Sequence, residues 1–341
     1  MPYINSMELE QSNKGQIPVI GALRGVAALA VALFHIINSP TGFETNEAVR
    51  RVVVNGAHGV QIFFVISGLV IPLSLMRKGY AWGDFGRFMW KRSIRLEPTY
   101  LSVIFLGILW IPLRSILLRE EMLPFPAVSE IFLNVFYLVP FSGGEWINTV
   151  FWTLGIELQF YLLCAFIFGL KRSRFTDAGM YALPLLSVFL AGQSSNMFVL
   201  YWLDFFIAGG FIAMYLMKRV SLEKMGLLLI LCQLSATFNH GYHMATILTA
   251  TSLIILFMPN RNGGNALQFL GNQSYSLYLI HPLVGTTFVN GAMRFFEFEN
   301  QWIHWLIVIS AALVSIGAAQ VLFKWVEAPT MRWSKSVRLK P

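Results

Sequence analysis

The chain has 341 residues, of which 56% are hydrophobic and only 12% are charged. Soluble domains are about one quarter charged, so this composition excludes an ordinary soluble domain and predicts a polytopic membrane protein. The formal net charge of +8 does not indicate nucleic-acid binding, because the basic residues lie in alternate short loops rather than on one patch.

The amino-terminal segment, residues 1–17, is polar and is predicted to be cytoplasmic. It lacks the apolar core of a cleavable signal peptide, so the first apolar segment, which begins near Pro18, is predicted to remain as an anchor. Cys164 and Cys232 are the two cysteines of the chain, and both lie inside apolar segments. The sequence therefore provides no disulfide framework.

Apolar runs long enough to cross a bilayer predict about ten transmembrane helices. They lie near 20–39, 56–76, 98–118, 150–170, 178–194, 197–217, 225–239, 244–258, 269–289 and 302–323. The predicted fold class is an all-α polytopic bundle, with a transmembrane domain over 18–328 and a basic tail over 329–341.

The first apolar run carries an ionisable residue at each end of RGVAALAVALFH, from Arg24 to His35. Eleven residues at about 100° each return to within about 20° of the starting direction, with a rise of about 16.5 Å. The two side chains are therefore predicted to share one face of a helix at different depths. A lone arginine here would fit a lipid anchor, and a lone histidine would fit a structural contact, but the shared face favours function for both.

A pair of arginines follows in KRSIRLEP, where Arg92 and Arg95 are three residues apart before Pro98. In a helix this spacing places both guanidinium groups on one side, which suits binding of a phosphate. The alternative is an anchor to anionic lipid at the membrane edge. The longest connection follows at 119–149 and is predicted to lie along the outer face.

Ionisable residues at mid-membrane cost about 2.5–3.5 kcal/mol, so each is a candidate for function. Glu157 lies among bulky apolar residues in FWTLGIELQFYLL, with Tyr161 one turn later. This carboxylate must be paired or protonated, and its structural alternative is an ion pair between two helices. Asp204, in YWLDFFIAGG, has no partner identifiable from the sequence. The histidines at predicted helix ends or in outer loops are expected to lie outside any site: His58, His240, His243 and His304.

Near the carboxyl end, GNQSYSLYLIHP places Ser274, Tyr278 and His281 within about 60° of one helical face. This polar stripe either lines a site or joins helices by hydrogen bonds. Basic residues concentrate in the loops at 77–97, 171–177 and 218–224 and in the tail, whereas the opposite loops hold few. By the positive-inside rule both termini are predicted to be cytoplasmic, with Arg24 near the cytoplasmic surface.

Six of these patterns, in one order along nearly the whole chain, resemble the acyltransferase family 3 membrane proteins. The matching segments are Arg24 with His35, GVQIFFVISG at 59–68, Arg92 with Arg95, WTLGIELQFYLL at 152–163, SYSLYLIHP at 274–282 and EAP at 327–329. The chain departs from the family in three places. Its GALR lacks the acid of the usual DGLR, Gln61 replaces a usual acidic residue, and ELQ at 157–159 stands for the usual EEQ.

The resemblance implies an enzyme that moves an acyl group, usually acetyl, from cytosolic acyl-CoA to a hydroxyl of a surface or exported glycan or lipid-linked sugar. Arg24, Arg92 and Arg95 would then bind the phosphates of acyl-CoA. His35 would be the general base, with an acyl-histidine intermediate as the open variant. Glu157 would orient the imidazole or stabilise its charged form.

In the same scheme Ser274, Tyr278 and His281 would line the substrate site, and Tyr278 and His281 are candidates for stabilising the thioester oxygen. Acyl-CoA is a substrate, so no resident cofactor and no metal is implied. The implied location is the bacterial inner membrane, within lipid. The alternative function is a transporter or flippase of a lipid-linked sugar or acyl donor, but the sequence has no internal repeat to favour it.

Overall fold

The computed structural model describes residues 17–39, 47–118, 121–169, 179, 181–183, 186–189, 193–295 and 301–337. Six predicted segments lie wholly or partly outside these ranges: the amino-terminal segment, the start of the connection at 119–149, the end of the span at 150–170, the basic loop at 171–177, part of the span at 178–194 and the end of the tail. Within the described ranges the chain is helical and contains no β-strand, so the all-α class is confirmed.

Fourteen α-helices of four or more residues can be numbered along the described chain. The first seven are α1 (Pro18–Asn38), α2 (Glu47–Val54), α3 (Gly59–Arg77), α4 (Phe85–Leu118), α5 (Val128–Val135), α6 (Val139–Ser142) and α7 (Trp152–Gly169). The others are α8 (Leu203–Leu216), α9 (Leu222–His240), α10 (Tyr242–Phe257), α11 (Gly264–Asn272), α12 (Ser274–Phe295), α13 (Gln301–Leu322) and α14 (Ala328–Ser336).

Several helical segments are long and apolar enough to cross a membrane. Five meet this condition: Pro18–Asn38, Arg51–Arg77, Trp82–Ile116, Trp152–Gly169 and Trp302–Ser336. Each overlaps a predicted span, and the shorter apolar helices α8 and α10 overlap two more. The protein is therefore a multi-pass membrane protein. The count of ten spans and the cytoplasmic position of the termini stay predictions.

Helix α4 is longer than the predicted span, because it begins at Phe85 and continues through Pro98 and Pro112. Proline removes one main-chain hydrogen bond, but membrane helices tolerate this where side chains satisfy the freed groups. The arginine pair of the KRSIRLEP segment therefore lies on the same rigid helix as the apolar residues that follow it.

The predicted span at 269–289 is divided into α11 and α12 at Gln273, which is fully buried. Glu327, from the turn between α13 and α14, caps the start of α12. Its carboxylate accepts hydrogen bonds from the Ser276 amide at 3.1 Å and from the Ser276 hydroxyl at 2.6 Å. A carboxylate at this position satisfies an unpaired N–H and interacts favourably with the helix dipole.

Small residues let α1 and α3 approach their neighbours closely, as is typical of membrane helices. A Cβ atom at Gly271 of α11 would overlap the main chain of α1 at Gly21, and one at Gly68 of α3 would overlap the carbonyl of Phe206 in α8. Helix α1 also packs on α12 and α3. Helix α1 is therefore held against α3, α11 and α12.

Candidate active site

Helix α1 is unbroken from Pro18 to Asn38, so Arg24 and His35 are about three turns apart on one helix, as their spacing predicts. The two side chains line different cavities. We call the one at Arg24 the arginine cavity and the one at His35 the histidine cavity.

The arginine cavity has a volume of about 120 Å³ and lies between α1, α3, α4, α7 and α12. It brings together most of the polar residues that the sequence singles out. These are Arg24, Arg92, Arg95, Glu157, Tyr161, Ser274 and Tyr278. Three predicted phosphate ligands thus share one enclosed space with the central glutamate and with two members of the polar stripe.

The arginine cavity is electropositive, because three guanidinium groups and one carboxylate line it. In the described part of the chain, none of the three guanidinium groups forms an ion pair with a carboxylate. Arg92 lies over the rings of Phe88 and Tyr161, at 5.6 Å and 5.4 Å from their centroids, and its buried Nε has no hydrogen-bond partner. The cavity therefore suits an anionic ligand.

Glu157 is held by α3 rather than by the predicted base. Its carboxylate accepts a hydrogen bond from the Ser67 hydroxyl at 2.8 Å. Glu157 lines the arginine cavity and His35 lines the histidine cavity, so the contact expected between them is not made. The carboxylate instead faces the guanidinium groups.

A smaller pocket of about 20 Å³ adjoins the arginine cavity and shares Arg92, Glu157 and Tyr161 with it. It adds a second carboxylate, Glu97, which accepts a hydrogen bond from the Tyr137 hydroxyl at 3.2 Å. Burial, reinforced by neighbouring tyrosines and by Glu97, raises the pKa of Tyr137 well above its usual value. Tyr137 therefore stays protonated and donates to this carboxylate.

The histidine cavity is larger, with a volume of about 780 Å³. It is lined by α1, α4, α12 and the connection at 121–149. Its aromatic and polar side chains include His35, Asn38, Trp110, Glu130, Glu145, Trp146, Asn148, Thr287 and Asn290. Several are held in place: Trp110 donates to the Thr287 hydroxyl at 3.1 Å, and Asn148 donates to the Leu279 carbonyl at 3.1 Å.

The imidazole of His35 contacts a second histidine. His35 Nδ1 lies 2.9 Å from the Val31 carbonyl and 3.1 Å from His281 Nε2, while His281 Nδ1 lies 3.0 Å from the Leu277 carbonyl. A carbonyl only accepts, so hydrogen bonding assigns a proton to Nδ1 of each ring. His35 Nε2 then keeps its lone pair. His281 is fully buried and lines neither of the two cavities.

Tyr278 stands between the arginine cavity and the histidine pair. Its hydroxyl is 2.9 Å from the Thr153 hydroxyl and 3.3 Å from the Val150 carbonyl, and Phe63 meets the ring edge-on at a centroid distance of 5.8 Å. Its ring centroid is 6.0 Å from that of His281. Tyr278 therefore lines the arginine cavity and lies next to the histidine that contacts His35.

Two contacts near the site, that of Glu327 with Ser276 and that of Thr153 with Tyr278, are not indicated by the sequence. Glu327 belongs to the EAP segment of the family resemblance, but its role as the cap of α12 requires the spatial contact with Ser276. Thr153 is one residue in an apolar run, and nothing local indicates its bond to Tyr278.

Asp204 also has a partner that the sequence does not indicate. One carboxylate oxygen accepts a hydrogen bond from Ser187 at 2.5 Å, and the other lies 3.5 Å from His240 Nε2. His240, expected to lie outside any site, is buried and stacks on Trp202 at a centroid distance of 5.4 Å. This pair lines neither the arginine nor the histidine cavity, so it fits a structural contact between α8 and α9.

Comparison with known families gave one match over most of the chain. Residues 17–324 match a family model described as an acyltransferase domain. The match contains Arg24, the arginine pair of α4, Glu157 and His281, whereas Glu327 lies just beyond its end. No curated protein and no solved structure gave a significant match.

Proposed function

Because this chain belongs to the acyltransferase family whose model covers residues 17–324, we propose that it is a membrane-bound O-acyltransferase. It moves an acyl group, most commonly acetyl, from cytosolic acyl-CoA to a hydroxyl of a surface or exported glycan or lipid-linked sugar. The observation that carries the proposal is the geometry of α1, which presents Arg24 to one cavity and His35 to another.

The donor binds at the arginine cavity. Guanidinium groups pair with phosphate oxygens in bidentate fashion, and CoA carries phosphates at the end opposite its thioester. Arg92 Nε and the Ser274 hydroxyl are buried without a partner, so both are available to a ligand. The cavity of about 120 Å³ is smaller than the roughly 300–1,000 Å³ of pockets that enclose whole drug-sized ligands. It therefore holds the phosphates and the narrow arm, with the adenosine outside.

The acyl end of the donor reaches His35 along α1, where the rise from Arg24 is about 16.5 Å. His35 Nε2 takes the proton of the acceptor hydroxyl, and that oxygen attacks the thioester carbonyl carbon. The C–S bond breaks, CoA leaves as a thiolate, and the thiolate takes the proton from the imidazolium. In the covalent variant Nε2 attacks the thioester carbonyl carbon and CoA leaves as a thiolate. The acceptor hydroxyl oxygen then displaces the imidazole from the acyl group, and the hydroxyl proton passes to the thiolate.

This transfer is supported by Tyr278 and Ser274 of the polar stripe and by Glu157. Tyr278 lines the arginine cavity next to His281, where its hydroxyl donates to the thioester oxygen. Ser274 and Glu157 line the donor site, and Glu157 balances part of the charge of the guanidinium groups. These assignments place Glu157 on the donor side of the reaction rather than next to the base.

The acceptor binds in the histidine cavity. Its volume of about 780 Å³ accommodates a sugar unit, and its lining combines tryptophan faces with amide and hydroxyl groups. Asn148 and Asn290 provide donors and acceptors that suit a polyhydroxylated molecule. The connection at 121–149 forms part of this wall, in keeping with its predicted outer location.

The test compares labelled acyl transfer by membranes that contain the wild type or single variants. We expect His35→Ala to abolish transfer while its abundance stays near normal, and Arg92→Ala to weaken acyl-CoA binding. Arg87→Ala is the matched control, because Arg87 lies on the same helix but is partly exposed and paired with Asp84 at 3.4 Å. Persistent activity of His35→Ala, or equal loss of binding in both arginine variants, would contradict the proposal.

A further inference from the structure

The two histidines that meet between α1 and α12 form a chain of hydrogen bonds. The rings have a centroid distance of 5.0 Å and an interplanar angle of 49°. Close packing fixes this contact, since a Cβ at Gly285, one turn after His281, would lie 3.0 Å from the side chain of Ile36. The register of the two helices therefore places His281 against His35.

The contacts of the two rings with main-chain carbonyls determine which nitrogen donates and which accepts along this chain of hydrogen bonds. His281 Nδ1–H donates to the Leu277 carbonyl, so His281 Nε2 has a lone pair. This nitrogen and the Val31 carbonyl share the one proton of His35 Nδ1, at 3.1 Å and 2.9 Å. The remaining nitrogen, His35 Nε2, is left as the basic atom. In the described part of the chain, no carboxylate forms a hydrogen bond with either ring.

We propose that His281 is the positioning residue of the base, an inference that rests on the proposed function of His35. Together with the Val31 carbonyl it holds the His35 ring in the orientation and tautomer whose Nε2 is unprotonated, and it accepts from Nδ1–H more strongly once the ring is charged. Carboxylates have this role in hydrolase triads. A neutral imidazole suits a buried position in a membrane bundle, because an ionised carboxylate there is costly unless it is paired.

The protons balance with His281 neutral throughout. The proton taken from the acceptor hydroxyl resides on His35 Nε2, while the Nδ1 proton stays on His35 and strengthens its bond to His281. When the C–S bond breaks, the thiolate takes the Nε2 proton, and both rings return to their starting forms. No proton has to leave the pair through the bundle.

The test compares two amides at position 281. The side-chain amide of glutamine can occupy the position of the histidine Nε2. The amide of asparagine is one carbon nearer to the main chain and can occupy only the position of Nδ1. We therefore expect His281→Gln to retain most activity and His281→Asn to lose about 100-fold or more in kcat. KM for acyl-CoA stays the same in both variants, because the donor phosphates bind at the arginine cavity. A structural role alone would favour neither amide.

Equal kcat per folded molecule in the two variants would overturn the inference. Should both variants fail to fold, the wild type provides a second measurement: nitrogen-15 NMR of labelled histidine, with the His35 signal identified by its loss in His35→Ala. We expect a proton on His35 Nδ1, none on His281 Nε2, and a coupling between these two nitrogens across their hydrogen bond; absence of that coupling would overturn the inference, because the Val31 carbonyl alone gives the same His35 tautomer. An active His35→Ala would instead refute the proposed base itself, so the two failures are distinguishable.

Discussion

Replacing Glu327 with alanine is expected to destabilise the fold strongly, although this residue lies outside both cavities. Glu327 is 4% exposed, and one carboxylate oxygen accepts from both the amide and the hydroxyl of Ser276. The substitution would leave the amide at the start of α12 buried and without a partner. Because α12 carries Tyr278 and His281, loosening its first turn also disturbs the site.

The magnitude follows from the two bonds. Hydrogen bonds to charged groups contribute about 1.5–3 kcal/mol each, so Glu327→Ala should lose about 3–6 kcal/mol. Glu327→Gln keeps an oxygen acceptor but removes the charge, and charge-assisted bonds are roughly twice as strong as neutral ones. The glutamine variant should therefore lose about half as much free energy of unfolding.

The assay is thermal unfolding in detergent, followed by the helical circular dichroism signal. The expected order of stability is wild type, Glu327→Gln, Glu327→Ala, with a coupling of at least about 0.5 kcal/mol between Glu327→Ala and Ser276→Ala in a double-mutant cycle. Glu121→Ala is the control, because Glu121 is an exposed carboxylate. If Glu327→Ala matches this control and shows no coupling to Ser276, the capping argument is wrong.

Three further outcomes are expected. Tyr278→Phe should lower kcat about 100-fold in label transfer, because it removes a donor to the thioester oxygen, and Thr153→Val should have a smaller effect. Gly68→Ala should cost about 1–3 kcal/mol in thermal unfolding, because its Cβ meets a main-chain carbonyl of α8, whereas Gly86→Ala, with open space around it, should cost nothing. Asp204→Ala should lose about 1–3 kcal/mol, because it leaves the buried Ser187 hydroxyl without its acceptor. Its KM for acyl-CoA per folded molecule should equal that of the wild type, and a raised KM would contradict its structural role.

The features predicted correctly are those that depend on local geometry. Apolar runs of sufficient length predict helices in a membrane chain, because the backbone must satisfy its own hydrogen bonds there. The eleven-residue spacing of Arg24 and His35 predicts their separation along one helix, since rise and rotation per residue are constant. The order of motifs was sufficient to predict the family, which the match over residues 17–324 confirms.

Predictions of contact between helices were less successful. Glu157 and His35 were expected to meet because a carboxylate commonly supports a catalytic histidine, but α7 places Glu157 at the arginine cavity and α12 brings His281 to His35. The pairing of Asp204 with a histidine at the end of α9 was equally unforeseen. In each case the residues are far apart in sequence, and their distance depends on which helices are neighbours.

The amino-acid sequence by itself determined a helical membrane protein, the depth and face of its ionisable residues on each helix, and the acyltransferase family. Only the tertiary structure decided that these residues divide between two cavities, that Tyr278 lines the arginine cavity next to His281 and that His281 contacts His35. The physical reason is that helix periodicity is a property of the local backbone. Which helices contact each other, in contrast, depends on the close packing of small residues and on the burial of polar groups across the whole bundle.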